Sequence, residues 1–221
     1  MDTTRHGPLL TALSAPDAST RLRAALGAGT RPDPALVDPL VGRCAVEPDF
    51  FVRDMLTWAL TRHPAGLTVP RLLAELRSGG AQARSQALHT LSKVRDARAW
   101  RELPAGLLHD ADDEVARSAW RAAVVLVPPG EEAALVEELV TELGRGDHET
   151  RLSLSRVLVA LAPVAAVDHA LATAAGSGTD AARAHALATA RLLADPDADL
   201  SHALDEATRT VLLAAAPRPP C

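Results

Sequence analysis

An all-α fold, an α-solenoid of about six helix-hairpin repeats, is predicted by three observations. Arg21, Arg53, Arg84, Arg117, Arg151 and Arg183 recur every 31 to 34 residues. Four residues before these marker arginines stand Asp17, Asp49, Gly80, Asp113, Asp147 and Thr179, all of them types favoured at a helix N-cap. The hydrophobic content is mostly Ala, Leu and Val with very few aromatic residues and no Tyr, and Ala and Leu are leading helix formers.

Each repeat carries two helical segments, the second starting at the cap. Three and seven residues after the marker arginine stand Ala24/Ala28, Leu56/Leu60, Ala87/Leu91, Trp120/Val124, Leu154/Leu158 and Ala186/Ala190. These offsets share one face of a helix and every residue is apolar, so they predict the buried stripe; no segment sustains the alternation of a strand. First helices are expected over 34–45, 69–77, 100–109, 131–144 and 164–175, with Pro34 and Pro70 in first turns and a kink or later start at Pro104. The breakers RPDP, RHPAG, VPPG and DPDAD separate the repeats. One domain over 1–221 results, with repeats at about 8–30, 31–64, 65–96, 97–128, 129–162 and 163–195. A short first helix over 8–14 and a closing helix over 199–215 cap the array, and the final PRPPC reads as a disordered tail.

A formal charge of −5 offers no global attraction to nucleic acid or an anionic membrane. The two cysteines, Cys44 and Cys221, make neither a disulfide framework nor a zinc motif. No apolar run approaches the ~20 residues of a membrane span. The start, MDTTRHGPLLTALSAPD, lacks the apolar core of a signal peptide, so a cytoplasmic location is expected.

The segments DFFVRDMLTWAL and DDEVARSAWRAAVVL resemble the second helix of HEAT and HEAT-like repeats: an acid, a small apolar residue and an arginine ahead of an Ala/Leu-rich stripe. The resemblance covers nearly the whole chain. The period is shorter than the ~40 to 47 residues usual for HEAT units and is similar to short HEAT-like variants. The Ala/Leu composition is similar to that of actinobacterial proteins that carry such modules. The marker arginines are expected to tie each turn to the cap aspartate or to a carbonyl of the adjacent repeat.

Two enzymatic families of similar repeats place their functional residues differently. The dimetal deoxyhypusine hydroxylases repeat a His-Glu pair through the array. Here a single pair, His148-Glu149, stands at a helix start, so neither a metal nor any other cofactor is expected. HEAT-like DNA glycosylases use a basic concave face with aromatic residues and a carboxylate. Asp54 and Trp58 lie one turn apart on one helix, but no Tyr adds stacking surface and the net charge opposes duplex binding. No nucleophile elbow or phosphate-binding glycine loop occurs. Trp100 and Trp120 read as filler between helices.

The resemblance therefore implies a non-enzymatic scaffold that binds a protein or peptide. In a right-handed stack, second helices line the concave side, and offsets one, two, four and five after the marker point into the groove. That face includes Met55, Thr57, Ser85, Leu88, Ser153 and Ser155, and the candidate partner-binding residues are Asp54, Trp58, Gln86, His89, Arg121, Arg156 and His185. Trp58 is either an anchor or packed against the preceding helix, while Arg121 and Arg156 would meet acidic groups. A regulatory domain holding a small ligand, or a DNA glycosylase, is the alternative. A neutral groove with an exposed aromatic would favour a peptide, a strongly positive one DNA, and a closed apolar pocket a small molecule.

Overall fold

The computed structural model describes residues 3–195 and 197–215, and every regular element among them is helical. Packing divides the chain into two compact units, Met1–Leu126 and Val127–Cys221. The first contains α1 (Thr3–Leu13), α2 (Ala18–Thr30), α3 (Val37–Cys44) after a 3₁₀ turn at Pro34–Leu36, α4 (Phe50–Thr61), α5 (Ala65–Ser78), α6 (Ala81–Val94), two 3₁₀ segments at Ala97–Glu102 and Ala105–His109, and α7 (Asp113–Leu126). The second contains α8 (Glu132–Val140), α9 (His148–Ala160), α10 (Ala166–Ser177), α11 (Asp180–Ala194) and α12 (Leu200–Ala215). The expected tail at 217–221 lies outside the described residues.

In the first unit α2, α4, α6 and α7 pack one on the next, with α1, α3, α5 and the 3₁₀ segments against them. In the second, α9 packs on α11 and α8 on α10, while α12 covers α11. Capping starts the second helices where the sequence places them. Asp17 accepts from Thr20 N–H at 2.8 Å, Asp49 from Val52 at 3.0 Å, Asp147 from Thr150 at 2.9 Å and the Thr179 hydroxyl from Ala182 at 3.2 Å, satisfying otherwise orphaned donors. Gly80 caps α6 without a side chain. The exception is α7, capped by Asp112 rather than Asp113: its carboxylate takes Glu114 N–H at 3.0 Å and Val115 N–H at 3.2 Å. Asp110 binds Asp112 N–H, forming the turn that brings Asp112 to the cap.

Ten of the twelve stripe residues are buried. Val124 is half-buried, while Ala119, Ala122, Ala123 and Leu126 of α7 are buried. Ala190 is exposed because α11 turns Ala184, Ala188 and Leu192 toward α12. Trp120 is fully buried, its indole donating to Leu108 O at 2.8 Å, and Trp100 packs on the core edge.

First helices depart further from expectation. α5 begins at Ala65, capped by Pro64, so Pro70 sits inside the helix rather than in its first turn. Leu67 and Thr68 donate to Pro64 O and set this early start. The helix expected over 100–109 is two 3₁₀ pieces, because Pro104 holds Leu103 extended and interrupts the turn. α8 is shorter than expected and runs into turns ending at Gly144, whose φ of +87° is left-handed.

Backbone carbonyls of the connections take most of the marker arginines. Arg21 donates to Ala15 O and Pro16 O, Arg53 to Glu47 O and Pro48 O, Arg84 to Gly79 O, Arg151 to Gly144 O and Arg183 to Ala175 O. These five thus fasten the connection that precedes their own helix, while Arg117 pairs with Glu114 on α7. The geometry explains the preference: a cap carboxylate is already committed to helix N–H groups, whereas turn carbonyls lack partners.

Arg21 and Arg84 also reach forward, to Glu47 at 2.7 Å and to Asp110 at 3.0 Å. Glu47 is fully buried and further accepts from Arg43 and Asp49 N–H. Burial would raise its carboxyl, but the Arg21, Asp49 and Arg43 bonds hold it at about 2. Leu56, which has no exposed surface, should therefore outweigh a half-exposed marker arginine in stability. Leu56→Ala is expected to cost about 2–5 kcal/mol, and Arg53→Ala about 1–2 kcal/mol for its turn bonds. Urea unfolding of both variants checks the order, and equal losses would refute it.

Candidate functional site

Four of the seven candidate residues meet in the first unit. Asp54 from α4, Gln86 and His89 from α6 and Arg121 from α7 line an open pocket of about 260 Å³, together with Phe50, Arg53, Ser85, Glu114 and Ser118. Successive second helices place them there: Asp54 at offset one, Gln86 and His89 at offsets two and five, and Arg121 at offset four after their marker arginines, each beside the buried stripe of its own helix. Ser85 and Ser118, one position after their markers, bring their hydroxyl oxygens within 2.9 Å. Arg121 donates from Nη2 to Ser118 Oγ at 3.1 Å.

The pocket is electrostatically mixed. Two guanidinium groups, Arg53 and Arg121, share it with the carboxylates of Asp54 and Glu114, and Glu114 binds Arg117 at 2.7 Å. Burial lowers the His89 imidazole, Lys93 and Arg121 lower it further, and Asp54 opposes them, so the ring is neutral at pH 7. Burial also lowers Arg121, and the repulsion of Arg117 outweighs the attraction of Glu114.

Trp58 stands outside this pocket. Its ring lies on Gly29 of α2, where an added Cβ would come within 2.3 Å of Cζ3, and 38% of the residue stays exposed. Close helix packing at Gly29 thus uses most of the indole. The larger exposed aromatic surface belongs to Phe50 and Phe51, 65% and 72% exposed, whose rings meet edge-on at 5.6 Å. Sequence reading passed over this pair because it lies before the marker arginine. The signal was present: the five positions equivalent to Phe50 hold Ala18, Ala81, Glu114, His148 and Asp180.

Apart from Arg121, offset four does not point into a groove. Thr57, Leu88 and Ser155 are buried, because second helices pack on one another through that side. Thr57 meets Thr90 at 3.4 Å and Ser155 meets Thr189 at 2.8 Å, joining offset four to offset six of the following second helix in both units. Ser153 is buried too, and Met55 packs against the core.

Arg156 is exposed on α9 in the second unit, whereas His185 in the same unit has no exposed surface and is not a partner-binding residue. Gly144 N–H donates to His185 Nδ1 at 3.0 Å, so Nε2 carries the proton and donates to Ser155 Oγ at 2.9 Å and Arg151 O at 3.1 Å. A side chain at Gly144 would meet Ala182 N at 2.7 Å, and this close approach puts the imidazole within reach of the turn. His148, of the His-Glu pair, lies 3.3 Å from Ser201 Oγ. No three His, Cys, Asp or Glu side chains among the described residues are grouped to hold a metal. Buried Cys44 has its thiol pushed up to about 12, chiefly by burial.

No helix among the described residues is long and apolar enough to cross a membrane. No protein-family model matches the chain, and comparison with curated proteins gives no match. A crystal structure of an engineered protein is similar at 17% identity, with a TM-score of 0.48 over 92% of this chain and 97% of that one, a likeness too slight to carry an assignment.

Burial pushes His185 down to about 4; its bond to Arg151 O raises it and the Arg151 charge lowers it. An unfolded histidine protonates near ~6.5, so unfolding takes up a proton between these values. Stability is full above about pH 6.5, falls as pH is lowered to about 4, and loses on the order of 3 kcal/mol in all. Chemical unfolding of wild type and His185→Asn across this range checks the effect: the variant should lack that part of the slope, and parallel curves would refute it.

Proposed function

We propose that the chain is a HEAT-like α-solenoid of about six helix-hairpin repeats, working without catalysis as a cytoplasmic module that binds a protein or peptide segment. Several local features support the repeat reading. Capping recurs at the second helices, five of the six marker arginines fasten the preceding connection, and offset four meets offset six in both units. Repetition of hydrogen bonds, not merely of residue types, is what copied structural units produce.

The binding reading rests on one observation above others: three successive second helices leave a solvent-open pocket with polar groups of both signs and Phe50 at its edge. An exposed aromatic beside adaptable polar groups suits a peptide, whose side chains bury apolar area while its main chain needs donors and acceptors. The paired signs disfavour DNA, which demands a basic stripe. The openness and polar lining disfavour a small apolar ligand. Ser85 is bonded to another hydroxyl rather than to a base, and that disfavours nucleophilic catalysis.

Affinity capture from native extract, with wild type and Phe50→Ala compared by quantitative mass spectrometry, tests the proposal. Phe50 is exposed, so its loss should leave thermal unfolding unchanged while lowering partner yield by about tenfold or more. Equal yields of the same proteins would reject this pocket as the interface.

A further inference from the structure

Arg121 is the feature that the fold does not explain. Other second helices place Ala25, Thr57, Leu88, Ser155 and Leu187 at this offset, and the first four of these are buried. Only here does a charge occupy it. Arg121 is exposed, so its guanidinium faces the pocket rather than the core. Among the described residues, Arg121 has Ser118 Oγ as its hydrogen-bond partner and no carboxylate within ion-pair distance. Glu114, the acid in its neighbourhood, is bound to Arg117, and Arg117 repels Arg121 more than Glu114 attracts it.

The hydroxyls beside it point the same way. Ser118 accepts from Arg121 and shares one proton with Ser85, so the two hydroxyls together keep one O–H that neither uses. A guanidinium with free N–H groups next to a spare hydroxyl proton is a donor cluster, which suits an anion. Asp54 and Glu114 line the same pocket and would repel a dianion, whereas one negative charge is tolerated.

We propose that this pocket receives an aspartate or glutamate side chain of a partner peptide, its carboxylate on Arg121 and the Ser85–Ser118 pair. The peptide also lays an apolar residue on Phe50. This inference rests on the peptide-binding reading above and adds the chemical class of the recognised residue. A phosphate group matches the donors but not the two flanking acids, beside which a single carboxylate charge is tolerated.

The test selects ligands from a random linear peptide library on the purified protein and measures the enriched peptides by fluorescence anisotropy. Enriched peptides should share an Asp or Glu near an apolar residue, and replacing that acid with Asn or Gln should weaken binding about tenfold or more. Arg121→Gln should remove the difference between acid and amide peptides. Arg121→Glu should enrich Lys or Arg instead, and Arg121→Lys should keep part of the preference, which a misfolded variant would not. Arg62→Gln, at the far end of α4, should change nothing.

Peptides that Phe50→Ala weakens but that show no acid preference, or keep it in Arg121→Gln, would overturn the acidic subsite and leave the peptide-binding reading standing. Peptides indifferent to both variants, or no enrichment, would overturn both. Displacement of the peptides by inorganic phosphate at concentrations where acetate has no effect would assign the site to phosphate and overturn the proposal.

Discussion

The constraint on which the structure depends is that no helix pair can bury its own apolar surface. A helix such as α4 is apolar on the stripe containing Leu56 and Leu60, but its flank carrying Thr57 is also covered, by α6. Two kinds of burial therefore operate on one helix. The stripe supplies the hydrophobic free energy, while the flank carries polar residues whose hydrogen bonds are satisfied only in one register. Thr57 with Thr90, and Ser155 with Thr189, are the residues that fix how far one helix slides along the next.

Arginine completes this arrangement at the turns. A tight connection between helices leaves carbonyl groups pointing together without donors, and water or a side chain must meet them. The marker arginine reaches back from the first turn of the second helix and supplies several N–H groups from one planar group. In Arg21 and Arg84 the remaining N–H groups meet an acid of the following pair. One residue type thus serves the turn within a pair and, where an acid is available, the joint between pairs.

How much was legible in the sequence follows from what each signal reports. Caps and stripes are local, so α2, α4, α6, α9 and α11 began at the expected residues and α12 spans almost the expected interval. The acid-rich run from Asp110 to Asp113 offered several caps, and only the Arg84 and Asp112 contacts of Asp110 settle which is used. First helices were less legible because Pro64, Pro70 and Pro104 set their bounds through backbone geometry that composition does not encode. His185 was misplaced for another reason: a helical wheel assumes a single covered face, and a polar residue on a second covered face looks exposed. At the pocket, Asp54, Gln86, His89 and Arg121 were found because they lie on the open face of consecutive helices. Phe50 was missed because the count began at the arginine, three residues too late.

Glu47 carries a consequence for any shortened form of the protein. Its carboxylate holds Arg21 and Arg43, and its carbonyl takes Arg53 and the Gln82 amide, so residues from three consecutive helix pairs converge on one short connection. Deleting the leading hairpin would strip that carboxylate of its bidentate partner while leaving Arg43 and the Asp49 amide in place. The first unit is therefore not freely divisible between α2 and α3, and a stable N-terminal truncation would need Glu47 replaced along with the missing segment.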